Sequence, residues 1–106
     1  MSQERKERMK KPSWKLWEER LAKLLSGRVN WGSGNTWYNK SDISTDLFRI
    51  EAKQTNSKSY SLNKQKWEKI HNEAIDRFQI PLLAVQIQDK ELIVISLEDF
   101  ISLTKA

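Results

Sequence analysis

Hydrophobic positions along this chain change their spacing several times, and each change marks an element. Between Ser13 and Ser26, Trp14, Trp17, Leu21, Leu24 and Leu25 recur at three- and four-residue intervals, the spacing of one helix face. Ser13 can cap that helix, and Gly27 stands just past its end. At about 100° per residue, Glu18 falls at the edge of the apolar stripe and Glu19 points nearly opposite. Arg28 to Trp31 reads as a short strand, and Gly32-Ser33-Gly34-Asn35 as a flexible loop where backbone can approach a ligand. Trp37 to Ser44 continues as loop or edge strand, and Ser44-Thr45-Asp46 as a turn. Leu47 to Lys53 then alternates with period two. Phe48, Ile50 and Ala52 share one face, and Leu47, Arg49, Glu51 and Lys53 the other.

After the polar stretch from Gln54 to Tyr60, a second helix is predicted to begin near Ser61 and end before Pro81, with the stripe Leu62, Trp67, Ile70, Ala74 and Phe78. Pro81 to Ile87 is apolar enough for a buried strand. Gln88-Asp89-Lys90-Glu91 reads as a turn and Leu92 to Ser96 as a further strand. Ser96 and Asp99 make a capping-box start for a helix from Leu97 to Leu103. The order α-β-β-β-α-β-β-α predicts one α/β domain over 13–106, a small mixed sheet flanked by helices. A basic N-terminal arm, expected to be flexible, precedes it over 1–12.

Composition narrows the chemistry. A chain of 106 residues has the size of one domain. Its net charge of +5 favours a polyanionic partner, nucleic acid ahead of an anionic membrane. No apolar run approaches the about 18 residues of a membrane span, neither main helix pairs a basic face with a continuous apolar one, and no secretory signal is evident. The expected location is cytoplasmic, in the host cell if the gene is a phage's. Zero cysteines remove disulfides, thiolate metal sites and thiol nucleophiles, and the single His71 removes His-rich metal cages. Any metal would be a hard one held by carboxylates, such as Mg²⁺ or Mn²⁺.

Four residues fit that chemistry: Glu18 on the first helix, Asp42 ahead of the central strand, and Glu51 and Lys53 on it. Carboxylates converging on one point repel, and a divalent cation between them relieves the repulsion while leaving places for water and a phosphate oxygen. Lys53 could orient the attacking water or neutralise charge that develops on phosphorus. The plainer alternatives are a surface ion pair for Glu18, a turn or cap for Asp42, and a solvated strand face for Glu51 and Lys53. Trp31 and Trp37 flank the small-residue loop and suit a core, a dimer contact or stacking on a base. Lys58, Lys64 and Lys66 are phosphate contacts or ordinary solvated charges.

At these residues the chain resembles the PD-(D/E)XK nuclease superfamily, and within it the archaeal-type and phage Holliday junction resolvases. The resemblance runs from about Trp17 to Phe100. It is carried by the helix from Glu18 to Leu25, the loop Gly32-Ser33-Gly34, Ser41-Asp42, the stretch Ile50-Glu51-Ala52-Lys53-Gln54-Thr55, the helix ending in Ala74, and the strand Ile80 to Val85. Ser41 stands where the motif has Pro. The resemblance implies a restriction-endonuclease-like core, Asp42 and Glu51 as metal ligands, Lys53 as the catalytic lysine, Glu18 as the helix acid completing the site, and Mg²⁺ with Mn²⁺ as its substitute. It also implies that Ser33 lies near the DNA backbone and that the enzyme is a homodimer making two symmetric cuts. Lys10, Lys11, Lys15, Arg28, Lys40, Thr55 and Lys58 join Ser33 as expected contacts to branched or double-stranded DNA. The competing readings are another nuclease of the superfamily, of repair or restriction type, and a nucleic-acid-binding module without catalysis.

Overall fold

The structure is a computed structural model that describes residues 13–29 and 43–105. The predicted arm over 1–12 and the loop region over 30–42 lie outside them.

The first helix, α1 (Ser13–Leu24), turns Trp17, Glu18, Leu21 and Ala22 inward. Trp14 shares that face but sits in the first turn, ahead of the first buried residue, and Leu24 lies at its rim, so both members of the expected stripe are exposed. Glu18 is 6% exposed, deeper than the stripe's edge suggests. The helix ends in a Schellman-type turn. The Gly27 amide donates to the Ala22 carbonyl at 2.7 Å and the Ser26 amide to the Lys23 carbonyl at 3.3 Å. The left-handed residue is Ser26, with φ of 56°, and not the predicted Gly27. Gly27 is needed for a different reason: a Cβ there would lie 2.8 Å from the Ser44 carbonyl oxygen.

Five strands form one mixed sheet among the described residues, in the order of the chain. β1 (Arg28–Val29), β2 (Ile43–Ser44) and β3 (Phe48–Thr55) are an antiparallel meander. Its β2–β3 turn is closed by Thr45, whose hydroxyl accepts from the amides of Leu47 and Phe48. The helix α2 (Lys64–Ile75) then carries the chain across to β4 (Ile80–Ile87), parallel to β3, and β5 (Lys90–Val94) returns antiparallel. This is the α/β architecture and element order that the hydrophobic pattern predicts.

β3 and β4 are covered on both sides. On one face Ile50, Ala52, Leu82 and Ala84 pack with Ile43 and with Trp17, Leu21 and Ala22 of α1. On the other, α2 lies across β4 and β3 with Ile70 and Ala74 buried. A strand covered on both faces has no polar face to show, which is why β4 reads as a continuous apolar run. Polar bonds tie α1 down at its rims. The Trp17 indole donates to Glu91 Oε1 at 2.9 Å, Arg20 pairs with the same oxygen, and the Ser13 hydroxyl donates to Gln54 at 3.1 Å.

Three boundaries move from their predicted places. α2 begins at Lys64, because Asn63 accepts from the Lys66 amide at 2.8 Å and caps it there. It ends before Phe78, which has φ of 56° and is 96% exposed, so Phe78 leaves the apolar stripe. Ile87 pairs with Lys90, which leaves only Gln88 and Asp89 in the turn and draws Lys90 and Glu91 into β5. The last helix, α3 (Leu97–Thr104), is capped as expected, Ser96 Oγ accepting from the Asp99 amide at 3.1 Å. No residue of α3 is buried, although Leu97, Phe100, Ile101 and Leu103 lie on it.

The end of α1 yields paired expectations of opposite sign. Ser26→Gly removes a left-handed non-glycine residue and should stabilise the protein by roughly 0.5–1 kcal/mol. Gly27→Ala should cost about 1–3 kcal/mol through the clash with the β2 backbone. Denaturant unfolding of the two variants checks both signs.

Candidate functional site

Alternation along β3 sends Arg49, Glu51 and Lys53 to the face that α2 covers, opposite Ile50 and Ala52. That face is graded in exposure. Arg49 is buried, the Glu51 side chain retains 17% of its exposure, and the Lys53 side chain 49%. The sheet is therefore sealed near the start of β3 and opens toward the carboxyl end of the parallel β3–β4 pair, where ligands of open α/β sheets are commonly received.

The sealed end is held by a polar relay. Arg49 Nε donates to Gln79 Oε1 at 2.9 Å, and Gln79 Nε2 donates to the Thr45 carbonyl at 2.6 Å. The relay joins β3, the segment entering β4 and the β2–β3 turn. Burial lowers the pKa of the Arg49 guanidinium from its ordinary value. Arg77 lowers it further, and Glu73 opposes the shift.

At the open end, Lys53 Nζ lies 3.2 Å from Glu51 Oε2. The two line a cleft of about 350 Å³ together with Tyr60, Lys66, Lys69 and Ile70. Three ammonium groups there face one carboxylate. The Lys66 ammonium sits 5.1 Å from the centre of the Tyr60 ring and donates to the Ser61 carbonyl at 2.8 Å. The charge of this cleft is complementary to that of an anion, and a carboxylate is the hard oxygen donor type that divalent cations take.

The expected site residues fall into three groups. Glu51 and Lys53 are brought together. Glu18 is carried to the sheet by α1, which packs on the Ile50/Ala52 face and not on the face of the Glu51–Lys53 cleft. Asp42 lies outside the described residues, as do Ser33, Lys10, Lys11, Lys40, Trp31 and Trp37. Asp42 is joined covalently to Ile43, whose partner across the ladder is Ile50, the residue before Glu51. Among the described residues no group of three or more His, Asp or Glu side chains is arranged to hold a metal ion.

Of the expected DNA contacts, Arg28 is exposed at the sheet's outer edge, level with Ser44 and Arg49 across β2. Thr55 ends β3, where its hydroxyl accepts from the Ser57 amide at 3.0 Å, and Lys58 is exposed in the segment that follows. Lys15 is half-buried on α1. Sequence reasoning passed over Tyr60 and Lys69, and it left Lys66 open between a phosphate contact and an ordinary solvated charge. Helical spacing carried a partial signal, since Lys66 lies one turn before Ile70 at the rim of the buried Ile70/Ala74 face and Lys69 lies further round the exposed side. It treated Arg49 only as part of a polar face, because the pairing with Gln79 spans thirty residues of sequence.

No family model, no curated protein and no solved structure matches the chain. Among the described residues no helix is long and apolar enough to cross a membrane.

Replacing Gln79 tests the relay. Gln79→Ala strips a partner from the Arg49 guanidinium and from the Thr45 carbonyl, and should destabilise the fold by about 1–3 kcal/mol. The shift in denaturant midpoint measures it, and an unchanged midpoint would exclude a structural role for the relay.

Proposed function

We propose that this protein is a metal-dependent endodeoxyribonuclease that hydrolyses phosphodiesters in branched DNA, as Holliday junction resolvases do. The observation that carries the reading is the Glu51–Lys53 pair, a carboxylate and an ammonium 3.2 Å apart at the mouth of a basic cleft. Two features support it. The order α-β-β-β-α-β-β-α with β3 parallel to β4 is compatible with the restriction-endonuclease-like core that the resemblance implies. Asp42 directly precedes the strand that neighbours Glu51's strand.

Glu51 and Asp42 would hold Mg²⁺, or Mn²⁺ in its place; Glu18 is the third acid of the set, on the helix that packs against the opposite face of the sheet, and its role is the one that the Glu18→Gln variant below decides. The bound ion would polarise a phosphate oxygen and lower the pKa of a water molecule. Lys53, held beside Glu51, would offer its ammonium to the negative charge that gathers on the phosphate as the bond to the leaving oxygen breaks. The basic cleft and the net charge of +5 draw the polyanion to these groups.

A homodimer suits the two-fold symmetry of a four-way junction. We assign its contact to α3, which leaves Leu97, Phe100, Ile101 and Leu103 between 40% and 73% exposed. β5 is also the outermost strand of the sheet, so two copies can meet edge to edge.

The wild-type protein should cut a synthetic four-way junction in Mg²⁺, and Glu51→Ala should lower the rate by at least about 100-fold. Undiminished cutting by that variant would sink the reading. Glu18→Gln separates two roles for the buried acid. Slower cutting with an unchanged melting temperature is expected for a ligand, whereas a lower melting temperature with unchanged cutting marks a structural group. Sedimentation equilibrium should give the mass of two chains for the wild type and of one for Phe100→Glu; a monomeric wild type at 100-micromolar order (about 10⁻⁴ M, far above the Kd of a specific interface) rejects the dimer.

A further inference from the structure

The end of the cleft formed by Tyr60, Lys66 and Lys69 is not used by the catalysis proposed above, yet it is built as a binding site. Lys66 stands in the first turn of α2, and Lys69 follows one turn later on the same side. Lys66 is held in place before any ligand arrives, by the Ser61 carbonyl at 2.8 Å and by the Tyr60 ring 5.1 Å below it. An ammonium has three N–H donors, and the Ser61 bond uses one of them. A cation already fixed loses little freedom on binding.

We infer that this end of the cleft holds a phosphate group of a nucleic-acid strand, at a subsite beside the Glu51–Lys53 pair. Charge selects an anion, because Lys53, Lys66 and Lys69 face the single carboxylate of Glu51. Chemistry selects phosphate. Lysines act as point charges that suit a group with oxygens in several directions, whereas a planar carboxylate is best matched by the fork of an arginine. Size agrees, since about 350 Å³ admits a phosphate with its sugar and is at the small end of ligand sites. Tyr60 is a positioning residue that acts through Lys66. The choice of a nucleic-acid strand over free phosphate rests on the nuclease reading; the anion site itself does not.

The test is made without metal, in EDTA, with the full chain and a single-stranded octathymidylate. Its arms are the same oligomer with neutral methylphosphonate linkages, and inorganic phosphate alone. Wild-type protein should bind the charged oligomer, and Lys66→Ala/Lys69→Ala should weaken binding by at least about tenfold. The salt dependence should become shallower by about 0.7 in log–log slope for each phosphate that the double variant leaves unneutralised. Tyr60→Phe should bind like wild type, because the ring face over which Lys66 sits is kept, and Tyr60→Ala should bind several-fold more weakly (about 0.5–1 kcal/mol of cation–π attraction, read as a two- to fivefold loss). Both lysines are exposed, so their replacement should leave the melting temperature in place.

Equal binding by the double variant, or equal binding of the neutral oligomer, overturns the inference. Binding of inorganic phosphate without the oligomer overturns the nucleic-acid assignment. Junction cleavage in Mg²⁺ reads the other proposal separately. Lysine-dependent oligomer binding without cleavage sinks the nuclease alone, and cleavage without lysine dependence at this subsite sinks the subsite alone.

Discussion

β3 is a strand with charged residues on a face that the fold must cover. Its other face completes the core with α1, so the strand can neither rotate nor slip by one residue without moving Ile50 and Ala52 out of that core. Arg49, Glu51 and Lys53 are thereby committed to the side of α2. The rest of the architecture accommodates that commitment. Arg49, at the sealed end, is satisfied by Gln79 from the segment that enters β4. Lys53, at the open end, reaches the cleft beside Glu51. The gradient from sealed to open along one strand is what gives this polar face a cleft lined by Glu51 and Lys53.

The two helices that sandwich β3 have different duties. α1 contributes bulk through Trp17, Leu21 and Ala22, and its polar bonds to Glu91 and Gln54 lie at its margins. α2 contributes a thinner apolar contact, Ile70 and Ala74, with the exposed lysines Lys66 and Lys69 at the rim of the cleft beside it. A helix packed so sparingly leaves room beside it, and the cleft occupies that room. α3 contributes to neither layer. Its apolar residues Leu97, Phe100, Ile101 and Leu103 are left exposed by the described fold.

Much of this was legible from spacing. Alternation over 48–53 named the core face of the central strand, and the change to three- and four-residue spacing on either side named its helices. Glu18 was legible as inward-facing from its angle on the helix. The partition of the apolar stripes was less legible. Phe78 has the spacing of a buried residue, but the helix stops three residues before it and the chain takes a left-handed turn. Trp14 has the right angle and the wrong height. Helical angle specifies a face, whereas burial depends also on where along the axis the neighbouring sheet begins.

By itself the sequence determined the element order, the phase of β3 and therefore the adjacency of Glu51 and Lys53, because two residues apart on an extended strand are neighbours in any fold. It also determined the chemistry open to the protein, through the lack of cysteine and the excess of lysine and arginine. Only the tertiary structure decided that β4 pairs parallel to β3, that Gln79 satisfies Arg49, and that Tyr60, Lys66 and Lys69 stand around Glu51 and Lys53. These arrangements join residues far apart in the chain. Strand alternation and helical spacing are local rules and carry no term for such distances. Returned to β3, the Glu51–Lys53 pair is adjacent by local geometry, and it faces a basic cleft because of how α2 crosses the sheet.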